Sequence, residues 1–320
     1  MCMQWNQYEL ESVCCDLCNS AENRSVIVRP DGLRVVECLH CGLCYLNPRP
    51  NVECISRLYS SEYFQKPVEG LRIGYTDYLE DDARASHRLE AQNRFATIKK
   101  YGVLQRDQCL EVGCATGEFS SLLHREGLDV TAIDISQEVI EHAKARFSGP
   151  RFMCGDLGRA VADSTFDLIC AFEVIEHVVS PRKFVTDAAR SLKPGGFLVL
   201  TTPNYDCAKR VGPESWLGFQ TSFEHLYFFS PGAFDAYSSI TGIEVVDWLT
   251  DRSDGVSRTS SVGGGESCRL HPGKRVLNSF GLLQPARRFK NYIACQRGTN
   301  YLRHGQGHNL LIILQKKSGE

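Results

Sequence analysis

Two pairs of cysteines near the N-terminus have the spacing of metal-ligating knuckles: Cys15-Asp16-Leu17-Cys18 and Cys38-Leu39-His40-Cys41, the second followed by Gly42. Each C-x-x-C turn can present two thiolates to one ion. Four thiolates close a tetrahedral site with no open position, the pattern of a structural zinc. Cys14 and Cys44 leave the ligand set open, because Cys41-x-x-Cys44 is also a legal pair, and His40 enters only if a cysteine drops out. Cys38 and Cys41 are preferred, since Gly42 then follows the second thiolate where a knuckle needs conformational freedom. A different chemistry is written in Leu110-Glu111-Val112-Gly113-Cys114-Ala115-Thr116-Gly117-Glu118-Phe119, an apolar strand, a turn bracketed by glycines and a helix start. Glycine permits positive φ and close approach of a ligand to the backbone. Asp134 lies seventeen residues after Gly117, at the end of the next apolar run. A carboxylate there can accept both hydroxyls of a ribose. His177 and His225 are side chains able to take a proton near neutral pH.

The elements that must position these groups alternate. The patterns predict strands at 108–112, 129–134, from 151, from 166, at 197–202, 243–250 and 310–314, with helices at 118–126, 137–147, 180–192 and 231–241. Ser180-Pro181 is a helix start, and Lys193-Pro194-Gly195-Gly196 is a turn into a strand. Residues 203–230 read as a long loop crowded with Trp216, Phe219, Phe223, His225, Tyr227 and Phe228, expected to line a substrate pocket or to pack on itself. In front, strands at 25–29 and 33–37 flank the turn Pro30-Asp31-Gly32, and a helical connector carries Tyr63, Phe64, Tyr75 and Tyr78 before an amphipathic helix at 88–100.

Taken in this order, the motifs resemble those of class I S-adenosylmethionine (SAM) methyltransferases. The run from Cys41 to Pro50 resembles the end of a zinc ribbon that fronts a subfamily of them, many of which act on sugars or other small metabolites. The resemblance covers about residues 15–251 plus the last strand. It implies an α/β, Rossmann-like seven-stranded sheet with helices on both faces, preceded by a small N-terminal zinc ribbon. It divides the chain into a zinc ribbon at 1–50, a helical connector or lid at 51–95, and a SAM-binding domain at 96–320 with a basic insertion at about 252–308. It assigns the cofactor to Glu111, Gly113, Cys114, Gly117, Asp134, Ile135, Asp156, Leu157, Phe172 and Glu173. Asp156 and Leu157 match the position whose acid accepts from the adenine amino group and whose amide meets a ring nitrogen. Glu173-Val174-Ile175-Glu176-His177 resembles the fourth motif of small-molecule methyltransferases, including quinone and sugar enzymes. It lacks the Asn/Asp-Pro-Pro-Tyr/Phe signature of many nucleic-acid and protein amino-group enzymes. Glu224-His225-Leu226 also recurs in the family, so His225 is the first candidate for the base or orienting residue and His177 the second.

Composition sets the outer bounds. The chain has 320 residues, 42% hydrophobic and 23% charged, with a formal net charge of −2. That balance is of a soluble globular protein, without a membrane span or signal-peptide core, and is expected to be cytoplasmic. Eight of the fifteen cysteines fall in the first 54 residues, which in a reducing compartment favours metal over disulfides. The first 60 residues hold five Lys+Arg against seven Asp+Glu, which reads against a phosphate-tracking surface. Residues 252–320 carry a balance of +9, and Lys274, Arg275, Arg287, Arg288 and Lys290 form a basic face, either solvated or a clamp for a phosphorylated or nucleotide-linked substrate. The expectation is methyl transfer to a small-molecule acceptor, oxygen favoured over carbon, with SAM as cofactor and a structural zinc. The alternatives are an RNA methyltransferase docking through ribbon and insertion, and a non-catalytic SAM-binding protein.

Overall fold

The computed structural model describes residues 9–58, 81–104, 108–160, 163–256 and 301–318. The expected connector aromatics Tyr63, Phe64, Tyr75 and Tyr78 and the basic helix at 275–295 lie outside them. The N-terminal strands are β1 (Leu10–Glu11), β2 (Asn23–Val28), β3 (Arg34–Cys38), β4 (Cys44–Leu46) and β5 (Arg49–Pro50), followed by helices α1 (Val52–Leu58) and α2 (Asp81–Lys99). The alternating core follows as β6 (Gln108–Val112), α3 (Glu118–Arg125), β7 (Asp129–Asp134), α4 (Gln137–Arg146), β8 (Arg151–Cys154), α5 (Leu157–Ala160), β9 (Phe166–Phe172), α6 (Pro181–Ser191) and β10 (Leu192–Pro203). The chain then continues through α7 (Tyr205–Val211), α8 (Leu217–Gln220), β11 (Tyr227–Phe228), α9 (Pro231–Thr241), β12 (Ile243–Thr250), β13 (Leu302–Arg303) and β14 (Asn309–Lys316).

The central sheet has the order β13-β12-β14-β10-β9-β6-β7-β8. Strands β10, β9, β6, β7 and β8 are parallel neighbours, and β14 runs antiparallel between β10 and β12. This is the α/β sheet expected from the motif order, with one addition: the short β13 pairs with β12 through Leu249–Arg303 and Thr250–Leu302, making eight strands. Every residue of β9, Phe-Asp-Leu-Ile-Cys-Ala-Phe, is buried, as a central parallel strand covered on both faces must be. Helix α6 begins as its sequence predicts, with the Ser180 hydroxyl accepting from the Lys183 amide and Pro181 in the first turn. Among the described residues no helix is long and apolar enough to cross a membrane.

The span expected as a long loop is largely structured. Its rings pack on one another rather than into open space: Trp216 meets Phe219 at 4.7 Å and Phe219 meets Phe228 at 4.7 Å, both edge-on. The reason lies in β11, which pairs with β4 of the N-terminal module through Tyr227–Tyr45 and Phe228–Cys44. The module therefore forms a four-stranded sheet, β11-β4-β3-β2, one strand of which comes from the main domain. A single hydrophobic core runs from Cys15, Val36 and Leu46 through Phe228 to Leu110, Ile169 and Phe184. Burial of that shared apolar surface joins the two parts into one packed body.

Candidate functional site

Strand β6 ends in Glu111-Val112, and the chain turns through residues 113–117 into α3. Gly113, Ala115 and Gly117 have φ of 72°, 45° and 80°. A Cβ on Gly113 would stand 2.5 Å from Val174 Cγ2, and one on Gly117 would stand 2.8 Å from the Phe152 ring. The two glycines are thus required by the path of the turn and by close packing against neighbouring segments. The amides of Gly113 and Cys114 donate to the Ile133 carbonyl at 2.8 and 3.0 Å, tying the turn to β7.

Outside the carboxyl ends of β6, β7 and β9 lies a cavity of about 690 Å³, where open parallel sheets bind ligands. Of the residues expected to hold the cofactor, Glu111, Gly113, Cys114, Asp134, Ile135, Asp156, Leu157, Phe172 and Glu173 line it. Gly117 does not, and serves from beneath. Asp134 accepts from the Ala115 amide at 3.0 Å and from the Ser136 amide at 2.9 Å. Ser136 sits at the N-cap of α4 but makes no side-chain cap bond. Asp134 therefore fixes the local turn while its carboxylate lines the cavity. Burial raises its carboxyl above the ordinary range, and the amides of Ser136 and Ala115 oppose that rise. Glu111 is also buried; its carboxyl accepts from the Ser120 hydroxyl and is pushed up to about 8 by burial.

One wall comes from the segment expected as a connector or lid, through residues the sequence did not single out. His87, Glu90, Ala91 and Arg94, on one face of α2, line the cavity. The Arg94 guanidinium lies 4.5 Å above the Phe172 ring and pairs with Glu90 at 2.6 Å. The helix read from the sequence only as amphipathic turns these polar residues toward the site.

Directly after β9, Glu173 holds φ 55°, rare for a residue with a side chain, with its amide donating to the Thr201 carbonyl at 3.1 Å. His177 lines the cavity; His225 does not. The two imidazoles meet edge-on at 4.6 Å, with His225 behind His177 and only 6% exposed. Glu176 Oε1 is 3.9 Å from His177 Nε2 and 4.0 Å from His225 Nε2. The three side chains offer donor atoms within 4.8 Å of one another, a set with the chemistry to hold a metal ion. Glu176 is wholly buried beside Glu173 and Thr202. Burial, then the neighbouring Glu173, pushes it well above the carboxylate range. Burial lowers His177 to about 4, and burial with the nearby His177 and Arg29 lowers His225 well below the imidazole range. Both rings are neutral at pH 7.

The sulfurs of Cys15, Cys18, Cys38 and Cys41 lie within 4.8 Å of one another. The Cys15–Cys41 and Cys18–Cys38 separations are 3.4 and 3.5 Å. These are too long for disulfides, and close to the edges of about 3.8 Å in a tetrahedron with sulfur bonds of about 2.3 Å. Both knuckles close alike: the Asn19 amide donates to the Cys15 carbonyl at 2.8 Å and the Gly42 amide to the Cys38 carbonyl at 3.0 Å. Asn19 and Gly42 both have positive φ. Cys44 is buried in β4, Cys14 and His40 are exposed, and none belongs to the cluster.

Sequence reasoning missed the groups that join these two centres. Arg29, Arg49 and Asp16 of the N-terminal module all bond to segments of the rim. Asp16 had a signal, an acid enclosed by paired cysteines. Arg29 had none, because an arginine in a short strand normally faces water.

Residues 82–247 match the methyltransferase domain family. A ubiquinone biosynthesis O-methyltransferase of Coxiella burnetii is 28% identical over 208 residues, 63% of this chain and 82% of that protein. One from Escherichia coli is 27% identical over 182 residues, 55% of this chain and 73% of that protein. A solved SAM-dependent methyltransferase from Thermotoga maritima, described as a possible histamine N-methyltransferase, shares 16% identity. It covers 75% of this chain and 97% of that one, with a TM-score of 0.49.

Proposed function

The chain belongs to the methyltransferase domain family and is a SAM-dependent methyltransferase, and from that premise we propose that it methylates an oxygen of a small-molecule acceptor. The observation that carries the reading is His177, an imidazole held neutral by burial that lines the same cavity as the glycine turn. SAM, when bound, supplies a methyl group already activated by its sulfonium. Asp134 would take the ribose hydroxyls, Asp156 and the Leu157 amide would take the adenine, and the buried Glu111 and Glu173 carboxyl groups would turn their oxygen dipoles toward the cofactor. The turn and the α2 wall hold the acceptor in line and exclude water. His177 takes the hydroxyl proton as the oxygen attacks, and His225 orients His177 from behind.

An uncharged acceptor fits better than a phosphorylated or nucleotide-linked one. Among the described lining residues the permanent cations are Arg94 and Lys183, and they are paired with Glu90 and Asp187. The four N-terminal cysteines are assigned one structural zinc, supported by their mutual spacing and matched knuckles. Elemental analysis of the purified protein should give one zinc per chain, absent in a Cys18→Ser, Cys38→Ser double variant. Incubating the protein with methyl-labelled SAM and, separately, a metabolite extract and total RNA tests the acceptor. Label on a metabolite hydroxyl supports the proposal, and label in RNA overturns it.

A further inference from the structure

We propose that the N-terminal four-cysteine module is a positioning device for the catalytic rim, acting through Asp16 and Arg29; this rests on the reading of His177 and His225 as rim residues. The Asp16 carboxylate, enclosed between Cys15 and Cys18, accepts from the Ser180 hydroxyl and the Arg182 amide, both at 2.6 Å. It therefore caps α6 from outside, at the helix that begins directly after the His177 segment. Arg49 donates to the Val179 carbonyl at 2.8 Å and to the Tyr227 hydroxyl at 2.9 Å.

Arg29 holds the second segment. Its side chain is fully buried and paired with Asp31 at 2.6 Å, itself fully buried. It donates to the carbonyls of Phe223 at 2.9 Å, His225 at 3.0 Å and Ser222 at 3.4 Å. Five guanidinium donors in a fixed fork can meet one carboxylate and several carbonyls; an ammonium cannot reproduce that geometry. The amides of Leu226 and Tyr227 donate to the Glu176 carbonyl at 2.9 and 3.2 Å, and the Leu46 amide of the module donates to the Leu226 carbonyl at 2.9 Å. The module thus grips residues 179–182 with one hand and 222–228 with the other. The pairing of the two imidazoles, and their distance from Glu176, depend on both grips. The glycine turn and Asp134 receive no bond from these residues.

The consequence is a separation of functions. Asp16→Ala and Arg29→Lys should each lower kcat by about tenfold to a hundredfold, the cost of displacing a catalytic group by about an ångström. SAM affinity by titration calorimetry and zinc content should stay at wild-type values. Asp16→Asn, which keeps one acceptor oxygen, should recover part of the loss. The imidazole NMR signals of His177 and His225 should shift in Asp16→Ala and Arg29→Lys, a readout that needs no acceptor. Full kcat with unmoved imidazole signals overturns the inference, as does a fall in SAM affinity or zinc content that parallels the fall in kcat. Should the wild-type protein methylate no small-molecule hydroxyl, the acceptor reading fails, while the imidazole signals still decide the positioning role.

Discussion

The glycine turn and the histidine rim both border one cavity and are built by different means. The turn is written locally: Ala115 meets Asp134 nineteen residues on, and Ser120 meets Glu111 nine residues back. The rim is assembled from afar. Asp16 meets Arg182 across 166 residues, and Arg29 meets the His225 carbonyl across 196. Backbone geometry in a short strand–turn–helix unit holds the first. Buried side chains of another module hold the second. Damage to one should therefore leave the other intact, and that difference can be broken or sharpened by experiment.

The largest effect is expected at the rim. His177→Ala should lower kcat by about a hundredfold to ten-thousandfold, the ordinary contribution of a general base. Calorimetry should find SAM affinity unchanged, and a parallel loss of SAM binding would erase the distinction between turn and rim. The mirror experiment is Asp134→Ala, which should weaken SAM binding by about a hundredfold, for two lost bonds from a charged acceptor of about 1.5 kcal/mol or more each. The imidazole NMR signals should not move.

Gly113→Ala should cost about 2 kcal/mol or more of stability, because positive φ and the Val174 contact are both violated. Chemical denaturation measures that cost, and SAM affinity should fall with it. His225→Ala should lower kcat by about tenfold, less than His177→Ala, since it acts through its neighbour. Equal losses from the two histidines would mean that they act as one unit.

The smallest effect concerns pH. Glu111 has its pKa raised from 4.5 to about 8 in the folded chain, so it holds a proton there that the unfolded chain releases. Its contribution to stability is complete below about pH 4.5 and is lost as pH rises through about 8. His177 acts oppositely: its pKa falls from 6.5 to about 4, so stability is gained as pH rises across that window. Between pH 6.5 and 8 Glu111 acts without it. Urea titration of the SAM-free protein should show a decline there, shared with Glu224, which burial pushes up to about 7, and Glu111→Gln should make it shallower.

Much of this molecule was legible in its residues. The core strands and α9 fall where apolar period and turn signals place them, and β6, β7 and β12 match to the residue. The cavity-lining acids Glu111, Asp134 and Asp156 were found because their places depend on a strand end and a count of residues from a glycine turn. The four clustered cysteines were legible for the same reason, since a knuckle is a local object. Less legible were β13, the partner of β11, and the cavity-facing stripe of α2.

The chain by itself determined its alternating fold, its glycine turn and its paired knuckles, because periodicity, glycine conformation and short spacings act within about one supersecondary unit. Only the tertiary structure decided that His177 faces the cavity with His225 behind it, that Arg94 faces inward, and that Asp16 and Arg29 reach across the molecule to hold the rim. Those outcomes depend on which buried polar groups find partners once distant segments pack together, and no local pattern records that choice.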